Sequence, residues 1–230
     1  MPEAYLTPED VERLENATTN LRDRLLIHLL FDTGCRISEA LALEPKDIDL
    51  NRSTITIQHL KSSVRLMCPN CGSRLARRYK FCPTCASEIV GAVEQELERH
   101  RMRVIPISPD TVEMRKGYIG RGNAIQRDGK LLVFGITRSR AWQIIKGLGN
   151  KTGIRNVVNP ETGTVHHISP HKLRDAFAVD IVQKDSSTDS MIMLQQQMGH
   201  VSFNTTAKYR KVSGQELIAW HQRMKGDRNE

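Results

Sequence analysis

The chain has 230 residues, of which 39% are hydrophobic and 26% charged, and its formal net charge is +8. A chain of this length can bury one hydrophobic core and carry a small appendage. The positive charge favours a polyanionic partner. That partner could be nucleic acid or an acidic membrane surface, and the charge could also serve solubility alone. Because the sequence has neither a long apolar stretch that would span a membrane nor a signal-peptide pattern, we expect a cytoplasmic protein.

Three helices are predicted near the start of the chain. The pair Thr7-Pro8 is a helix start, with a threonine N-cap and a proline in the first turn. An apolar helix over 21–31 follows, and Gly34 ends it as a C-cap glycine. Arg36 opens the next short helix, where Glu39 lies one turn away and can orient the guanidinium group. From the residue types alone, an ordinary surface ion pair is the favoured interpretation.

A β-hairpin with a long insertion is predicted next. Residues 53–60 alternate β-branched and polar side chains, which is the period-two pattern of a half-buried strand, and Lys61 follows at the strand end. The returning strand is predicted over 102–107. Residues 94–99, with the sequence EQELER, are predicted as a short charged helix or an exposed ribbon edge.

The insertion contains two CxxC pairs, Cys68 with Cys71 and Cys82 with Cys85. Two such knuckles about ten residues apart match a four-thiolate zinc site of the zinc-ribbon type. Disulfides are the alternative, but they are rare in the cytosol. A segment this short and polar has no core of its own, so we predict a structural Zn²⁺. Four cysteines fill its coordination shell and leave no open position for catalysis. The fifth cysteine, Cys35, is predicted to be a small packed residue.

Two groups of basic residues are candidates for contact with nucleic-acid phosphates. The first lies between the knuckles, where two aromatic residues are interleaved with it. Its basic members are Arg74, Arg77, Arg78 and Lys80. A solvated surface is an equally good interpretation of this group. The second, Arg138 and Arg140, lies at the start of a helix predicted over 139–147, whose Trp142 and Ile145 are expected to face the core. Residues 117–127 are predicted as a flexible glycine- and arginine-rich loop, and 153–167 as turn-rich.

Four residues that phosphate chemistry can use follow one another in the last third of the chain: His171, Arg174, His200 and Tyr209. A proline before the first of them predicts a helix start, which places His171 and Arg174 on one face. A second apolar helix over 191–198 ends at a glycine, so His200 follows its C-cap. Taken singly, each residue is more often a cap or a packing residue, so only the ordered set is informative.

The ordered set resembles the tyrosine recombinases of the phage-integrase and Xer type. HxxR, then GH, then Tyr nine residues after that His is the arrangement of this family, and its TGxRxSEL helix opening is similar to TGCRISEAL at 33–41. The resemblance covers nearly the whole chain except the zinc insertion. It implies a mainly α (α+β) fold, a helical bundle with a small antiparallel β-sheet and a zinc ribbon inserted in the β-hairpin. The implied domains are a catalytic domain of 1–61 and 101–230 and a zinc-ribbon insertion of 62–100.

The resemblance implies that Tyr209 attacks phosphorus in DNA and forms a 3′-phosphotyrosyl link. A phenol with a pKa of about 10 is almost wholly neutral at pH 7, so it needs a base or a cationic surround. Arg36, Arg174 and His200 would donate hydrogen bonds to the non-bridging oxygens, and Glu39 would support Arg36. The retained bond energy makes ATP and a catalytic metal unnecessary.

Proton transfer is assigned to two further residues. The resemblance implies that His171 is a proton acceptor or a phosphate-orienting group. Lys61 lies twenty-five residues after Arg36, close to the family spacing for the lysine that protonates the departing 5′ oxygen. The family has a tight turn at this point and the chain has the long insertion instead, so Arg101 and Arg103 are less favoured substitutes for Lys61.

The implied function is site-specific recombination, as integration or excision, on double-stranded DNA, with self-association into a tetrameric synapse. A type IB topoisomerase-like activity is the alternative within the same chemistry. A non-catalytic zinc-ribbon DNA-binding regulator on an integrase scaffold is the alternative from another class, and the intact set of site residues argues against it.

Two departures from the family bear on these expectations. Asp175 stands where relatives often carry a second His, and we expect it to alter packing rather than chemistry. The family's N-terminal helical domain, which closes a clamp around DNA, has no counterpart in the 230 residues. We therefore expect a fragment, or compensation by a partner or by the zinc insertion. Apolar residues at helical spacing over 217–224 predict a tail helix that packs on its own chain or on a neighbouring protomer.

Overall fold

The computed structural model describes residues 5–76, 78–91, 93–154, 156–158, 163–210 and 221–222, with the backbone alone described for 59–65 and 93–101. The chain divides into two compact units. The larger unit comprises Met1–Thr56 and Val104–Glu230, and the smaller unit is Ile57–Arg103. Arg77 lies outside the described residues, and so does the predicted tail helix over 217–224 except for residues 221–222, which are helical and exposed.

The described part of the larger unit is mainly helical. Its α-helices, in chain order, are α1 (Pro8–Asn16), α2 (Leu21–Thr33), α3 (Ile37–Leu41), α4 (Pro109–Ile119), α5 (Arg138–Thr152), α6 (Pro170–Lys184), α7 (Thr188–Met198) and α8 (Phe203–Ala207). Short polar side chains accept a hydrogen bond from the first turn of five of these helices: Thr7, Asn20, Ser108, Thr137 and Ser187. These N-caps satisfy backbone donors that have no partner within the helix, which fixes where each helix begins.

The core of the larger unit lies around α2, whose leucines and isoleucine over 25–30 are buried. A second cluster joins α6 to α7, with Phe177 and Val182 packing among Met191, Leu194 and Met198. Tyr209, in a 3₁₀ turn over Lys208–Arg210, is part of the same cluster. The apolar side chains of α6 and α7 thus hold the last segment of the chain against the bundle.

The four-stranded sheet is built on one long ribbon. Strand β1 (Ile48–Asp49) pairs antiparallel with the start of β2 (Thr54–Met67), and β3 (Arg74–Leu75) pairs antiparallel with its end. Strand β4 (Val93–Pro106) also pairs with β2. Both ribbon strands are longer than predicted, because the sequence continues the alternation through Val64 and Leu66 towards the first cysteine knuckle. Residues 94–99 belong to β4, so the alternative of a short helix there was wrong.

Two small hairpins replace segments predicted as loops. Strands β5 (Ile125–Arg127) and β6 (Lys130–Leu132) are joined by Asp128 and Gly129, both at positive φ (51° and 75°). This is the backbone of a type I′ turn, for which Asp-Gly is a favoured pair. Strands β7 (Asn156–Val158) and β8 (Val165–His167) form the other hairpin.

The mainly helical α+β class predicted from sequence is confirmed, with one correction in α5. Ile145 is fully buried, but Trp142 is 40% exposed and lies beneath Lys146, with Nζ 4.8 Å from the ring centre. The inward stripe of α5 is Ala141, Ile145 and Gly149, one position away from the indole. Within the described ranges, no helix combines the length and apolar character needed to cross a membrane.

Candidate active site and metal centre

The ends of two helices surround the buried guanidinium group of Arg174. Its Nη1 donates to the carbonyl of Gly34 at the end of α2, and its Nη2 donates to the carbonyl of Met198 at the end of α7, at 2.8 Å. Helix C-termini carry partial negative charge, so these carbonyls stabilise the cation. Burial and the nearby Arg36 charge lower the pKa of Arg174 to about 10, which leaves it protonated at neutral pH.

Arg36 stands next to this cation at the N-cap of α3. The Glu39 carboxylate accepts from the Arg36 backbone N–H at 2.8 Å and from its Nη1 at 3.1 Å. The Arg36 Nη2 also lies 3.4 Å from the carbonyl of Gly199. The side chain of Glu39 is 3% exposed and that of Arg36 is 34% exposed. A buried carboxylate therefore orients a guanidinium group that keeps a face open to solvent.

His200 connects the two arginines to the last part of the chain. Its Nε2 lies 2.9 Å from Arg174 Nη2, and its Nδ1 lies 2.8 Å from Thr206 Oγ1. Because a guanidinium nitrogen has no lone pair, Arg174 donates to Nε2, and Nδ1 then carries the hydrogen that is donated to Thr206. Burial, followed by the charges of Arg174 and Arg36, lowers the pKa of His200 to about 4. The imidazole is therefore neutral at pH 7 and orients Arg174.

Tyr209 lies beside this cluster with its hydroxyl facing a carboxylate. The ring stacks on His200 at a centroid distance of 6.3 Å, and Lys208 Nζ lies 5.1 Å from its centre. The hydroxyl donates to Asp175 Oδ1 at 2.7 Å, and both side chains belong to residues that are only 6% exposed. Burial, the Asp175 charge and this hydrogen bond all raise the pKa of Tyr209 above its ordinary value. The phenol is protonated in this state.

His171 lies at the edge of the cluster, one helical turn before Asp175. Its Nε2 is 3.8 Å from Asp175 Oδ1, and its side chain is 65% exposed. Lys172 Nζ is 3.5 Å from the other carboxylate oxygen. Partial burial and the charges of Lys208 and Arg174 outweigh the attraction of Asp175, so the pKa of His171 lies below its usual value.

The structure thus brings together Arg36, Arg174, His200 and Tyr209, with His171 at the margin. Lys61 lies in the interior of β2 rather than at a strand end, because the ribbon continues to Met67, and its side chain is outside the described part of the chain. Arg101 and Arg103 lie in β4, and only the latter has a described side chain.

Sequence reasoning missed three contributors to this cluster. Asp175 was expected to affect packing alone, yet it is the hydrogen-bond partner of the Tyr209 hydroxyl. Its replacement of a family histidine was the available signal. Thr206 sets the tautomer of His200 from six residues away, and the Gly34 carbonyl holds Arg174. No spacing rule in the sequence pointed to either of these contacts.

The four cysteines of the smaller unit converge on one point. Their sulfur atoms lie within 4.8 Å of one another, with Cys68 to Cys85 at 3.7 Å and Cys71 to Cys82 at 3.6 Å. Four thiolates at the Zn–S distance of 2.3 Å in a tetrahedron stand about 3.8 Å apart. All four are free thiols, and their separations fit a metal centre rather than disulfides.

The two knuckles repeat one backbone design. Cys68 N–H donates to the Ser73 carbonyl at 2.8 Å, and Cys82 N–H donates to the Ser87 carbonyl at 2.9 Å. The residue after each second cysteine, Gly72 or Ala86, has positive φ (69° and 56°). Hydroxyl groups of both serines lie 3.0–3.1 Å from cysteine sulfurs. Such contacts orient and stabilise thiolates in a metal centre, so the residues fit structural zinc.

The candidate DNA-contacting residues that the structure describes are all exposed: Arg74, Arg78, Lys80, Arg138 and Arg140. Phe81, in the first group, is 60% exposed. Exposed cations and an exposed ring are able to contact phosphates and bases.

The helical bundle thus carries one cluster of two arginines, a histidine and a tyrosine. The model of the phage integrase family matches residues 4–78 and 87–216, so the chain belongs to the phage integrase family. The family predicted from sequence is therefore confirmed.

Similar proteins agree with this assignment. The tyrosine recombinase XerD of Bifidobacterium longum is 29% identical over 221 residues, which cover 93% of this chain and 59% of that protein. The chain spans only 58–59% of the length of the first curated relatives it matches. The Tn1549 transposon integrase, solved in complex with transposon right end DNA, has a TM-score of 0.64 at 18% identity and covers 97% of this chain and 66% of its own. The catalytic domain of bacteriophage HP1 integrase has a TM-score of 0.52 at 16% identity, covering 94% of this chain and 92% of its own.

Proposed function

We propose that the chain is the catalytic part of a site-specific tyrosine recombinase that cleaves and rejoins double-stranded DNA through a 3′-phosphotyrosyl intermediate. The observation that carries the proposal is the convergence of Arg36, Arg174 and His200 beside Tyr209, which together supply an anion site and a nucleophile. Relatives named tyrosine recombinases favour this function over a topoisomerase-like activity or a binding-only regulator.

In the proposed reaction, Arg36 and Arg174 bind the non-bridging oxygens of the scissile phosphate. Planar guanidinium groups suit this task because they place two N–H donors on one anion, and helix ends already hold Arg174 in position. His200 orients Arg174 in the present state. To donate to the phosphate as well, His200 has to carry its hydrogen on Nε2, so we expect phosphate to displace the Arg174 contact with that nitrogen.

The remaining roles complete the strand transfer. Tyr209 attacks phosphorus, Lys61 protonates the departing 5′ oxygen, and no ATP or catalytic metal enters the reaction. A second 5′ hydroxyl reverses the step on the recombined strand. We assign catalysis to residues 1–61 and 101–230, and a structural zinc ribbon to 62–100. The basic residues of the ribbon and of α5 would bind DNA phosphates, and recombination would take place in a tetramer of protomers.

Covalent trapping tests the reaction class. A nicked duplex carrying a candidate recombination site is incubated with the protein, and products are separated on a denaturing gel. We expect the wild type to give a slower protein–DNA band that is absent with Tyr209→Phe, while both proteins bind the duplex equally. Tyr118→Phe is the matched control, because its hydroxyl contacts the Asn123 carbonyl away from the cluster. An adduct that persists in Tyr209→Phe, or that never forms although DNA binds, would contradict the proposal.

A further inference from the structure

The carboxylate of Asp175 is the centre of a short chain of polar contacts in the larger unit. One oxygen, Oδ1, accepts the Tyr209 hydroxyl at 2.7 Å and lies 3.8 Å from His171 Nε2. The other, Oδ2, lies 3.5 Å from Lys172 Nζ. Tyr209 and Asp175 are buried and His171 is exposed, so the contacts lead from the buried phenol towards solvent.

We propose that Asp175 is a catalytic residue that accepts the proton of Tyr209 during DNA cleavage, and that His171 acts through it as the exit for that proton. The inference rests on the proposed recombinase function. It reassigns the proton acceptor from His171, the residue that the sequence motif suggested, to a carboxylate that stands where relatives often carry a histidine.

Geometry favours Asp175 over His171 as the direct acceptor. A group that removes a proton must reach it at hydrogen-bond distance, about 2.6–3.2 Å between heavy atoms. Asp175 Oδ1 meets this condition with the hydroxyl of Tyr209. His171 makes its contact with the same oxygen of Asp175, which places it one group further from the phenol. The i, i+4 spacing of the two residues on α6 explains why they meet.

The step balances without any further reactant. The Tyr209 oxygen forms a bond to phosphorus as its proton moves to Asp175 Oδ1, and the bond from phosphorus to the 5′ oxygen breaks. The leaving oxygen takes a proton from the general acid. Asp175 then passes its proton to the neutral His171 and so to water. In the reverse step, the same carboxyl group returns a proton to the departing Tyr209.

Charged groups around Asp175 make the transfer possible although the resting phenol is protonated. The titratable and charged groups that face Asp175 or Tyr209 come from several elements: Tyr5, His171, Lys172, Arg174, His200 and Lys208. Most of the charged members are cations, which stabilise a developing phenolate. The pKa of His171 lies below its usual range, so this ring is neutral near pH 7 and able to accept a proton.

The test compares Asp175→Asn with the wild type in single-turnover cleavage of the suicide duplex. The amide keeps the shape and a hydrogen-bond acceptor but is not a base. Because proton transfer typically contributes 10²–10⁴-fold, we expect adduct formation to slow by about 10²-fold or more while DNA affinity is unchanged. Asp180→Asn is the matched control, since Asp180 lies on the same helix and pairs with Lys184 at 2.7 Å outside the cluster.

A pH profile separates catalysis from structure. The wild-type rate should be nearly flat across neutral pH, because Tyr209 passes its proton directly to a hydrogen-bonded acceptor. In Asp175→Asn, the rate should rise about tenfold per pH unit, because only ionised Tyr209 attacks. His171→Gln should slow the reaction less than Asp175→Asn does. A loss that is equal at every pH would mean a structural role and would overturn the inference.

Titration of the Tyr209 phenol requires no DNA. The titration is followed by NMR of labelled tyrosine, and Tyr209→Phe assigns the signal. The Asp175→Asn substitution should lower the pKa of Tyr209, because the carboxylate raises it by charge and by accepting its hydrogen bond. An unchanged phenol pKa would overturn the inference. If the wild type and Asp175→Asn were equally active, the inference would be overturned and the recombinase function would stand. If the wild type were inactive, the proposed function on which the inference rests would be overturned.

Discussion

Burial and the nearby charges of Arg174 and Arg36 keep His200 neutral, and this makes the stability of the larger unit depend on pH. Its folded-state pKa is about 4, below the usual value of 6.5. As pH falls below 6.5, the unfolded chain binds a proton that the folded protein does not, so the free energy of unfolding decreases until about pH 4. The full shift is discounted because the ring is only half-buried, which leaves an expected loss of about 1–2 kcal/mol.

Urea unfolding at pH 7 and pH 4.5, followed by far-UV circular dichroism, measures this loss. His200→Gln should reduce the difference in unfolding free energy between the two pH values by about 1–2 kcal/mol. His167→Gln is the control, because His167 is exposed and contacts Asn156. If the pH dependence of His200→Gln equals that of the wild type, the lowered pKa of His200 is contradicted.

The residue types of the site could be predicted, but their partners could not. HxxR, GH and the spacing to Tyr209 identify side chains that a phosphate reaction needs. The contacts that set their protonation, from Asp175 to Tyr209 and from Thr206 to His200, join different elements of the fold. A local pattern carries no information on which carboxylate faces a phenol 34 residues away. The exception is Asp175 itself, whose departure from the family pattern was visible.

At the end of α2, Gly34 both ends the helix and contacts Arg174. Gly34 has φ of 61°, and a Cβ there would overlap the ring of Phe177 on α6. Gly34→Ala therefore adds a clash to the left-handed strain. We expect it to lower the free energy of unfolding by about 2–5 kcal/mol, about 1–2 from the backbone and the rest from overpacking.

Gly153→Ala is the matched control for this substitution. Gly153 also ends a helix at positive φ (77°), but nothing lies within 4 Å of the added Cβ. Its cost should be the backbone strain alone, about 1–2 kcal/mol. Equal costs for the two variants in urea unfolding would show that Phe177 does not pack against α2 as described. Because the Gly34 carbonyl accepts from Arg174, adduct formation should fall in Gly34→Ala and stay unchanged in Gly153→Ala.

Elements with strong local signals could be predicted, and short strands could not. The helices at the start of the chain were predicted from the caps at Thr7 and Gly34. The apolar stretches of α2 and α7 predicted those two helices. The hairpin of β5 and β6 was missed although Asp128-Gly129 is a turn signal, because arginines and glycines around it suggested a loop. The hairpin of β7 and β8 has only three residues in each strand, too few for alternation to be recognised.

At the scale of the whole chain, the two units are stabilised by different means. The larger unit buries leucine, isoleucine and phenylalanine side chains in a helical core. In the described part of the smaller unit, the buried cluster consists of Cys68, Leu75 and Cys82, with Leu66, Cys85 and Ile89 partly buried around it. So small an apolar cluster does not offset the entropy of ordering the knuckles, and we therefore expect this unit to need a metal. The sequence predicted an insertion over 62–100, and the smaller unit is Ile57–Arg103.

Metal removal should therefore unfold the smaller unit and leave the larger one folded. We expect purified protein to contain about one zinc per chain, and a chelator to raise amide hydrogen exchange over 66–90 while α2 and α6 remain protected. Cys82→Ser should have the effect of the chelator, since it removes a ligand from a closed shell, whereas Cys35→Ala, at a buried cysteine of the larger unit, should retain the metal. Protein that is free of metal yet protected over 66–90 would contradict the zinc site. A loss of protection in α2 and α6 on chelation would instead show that the larger unit depends on the metal as well.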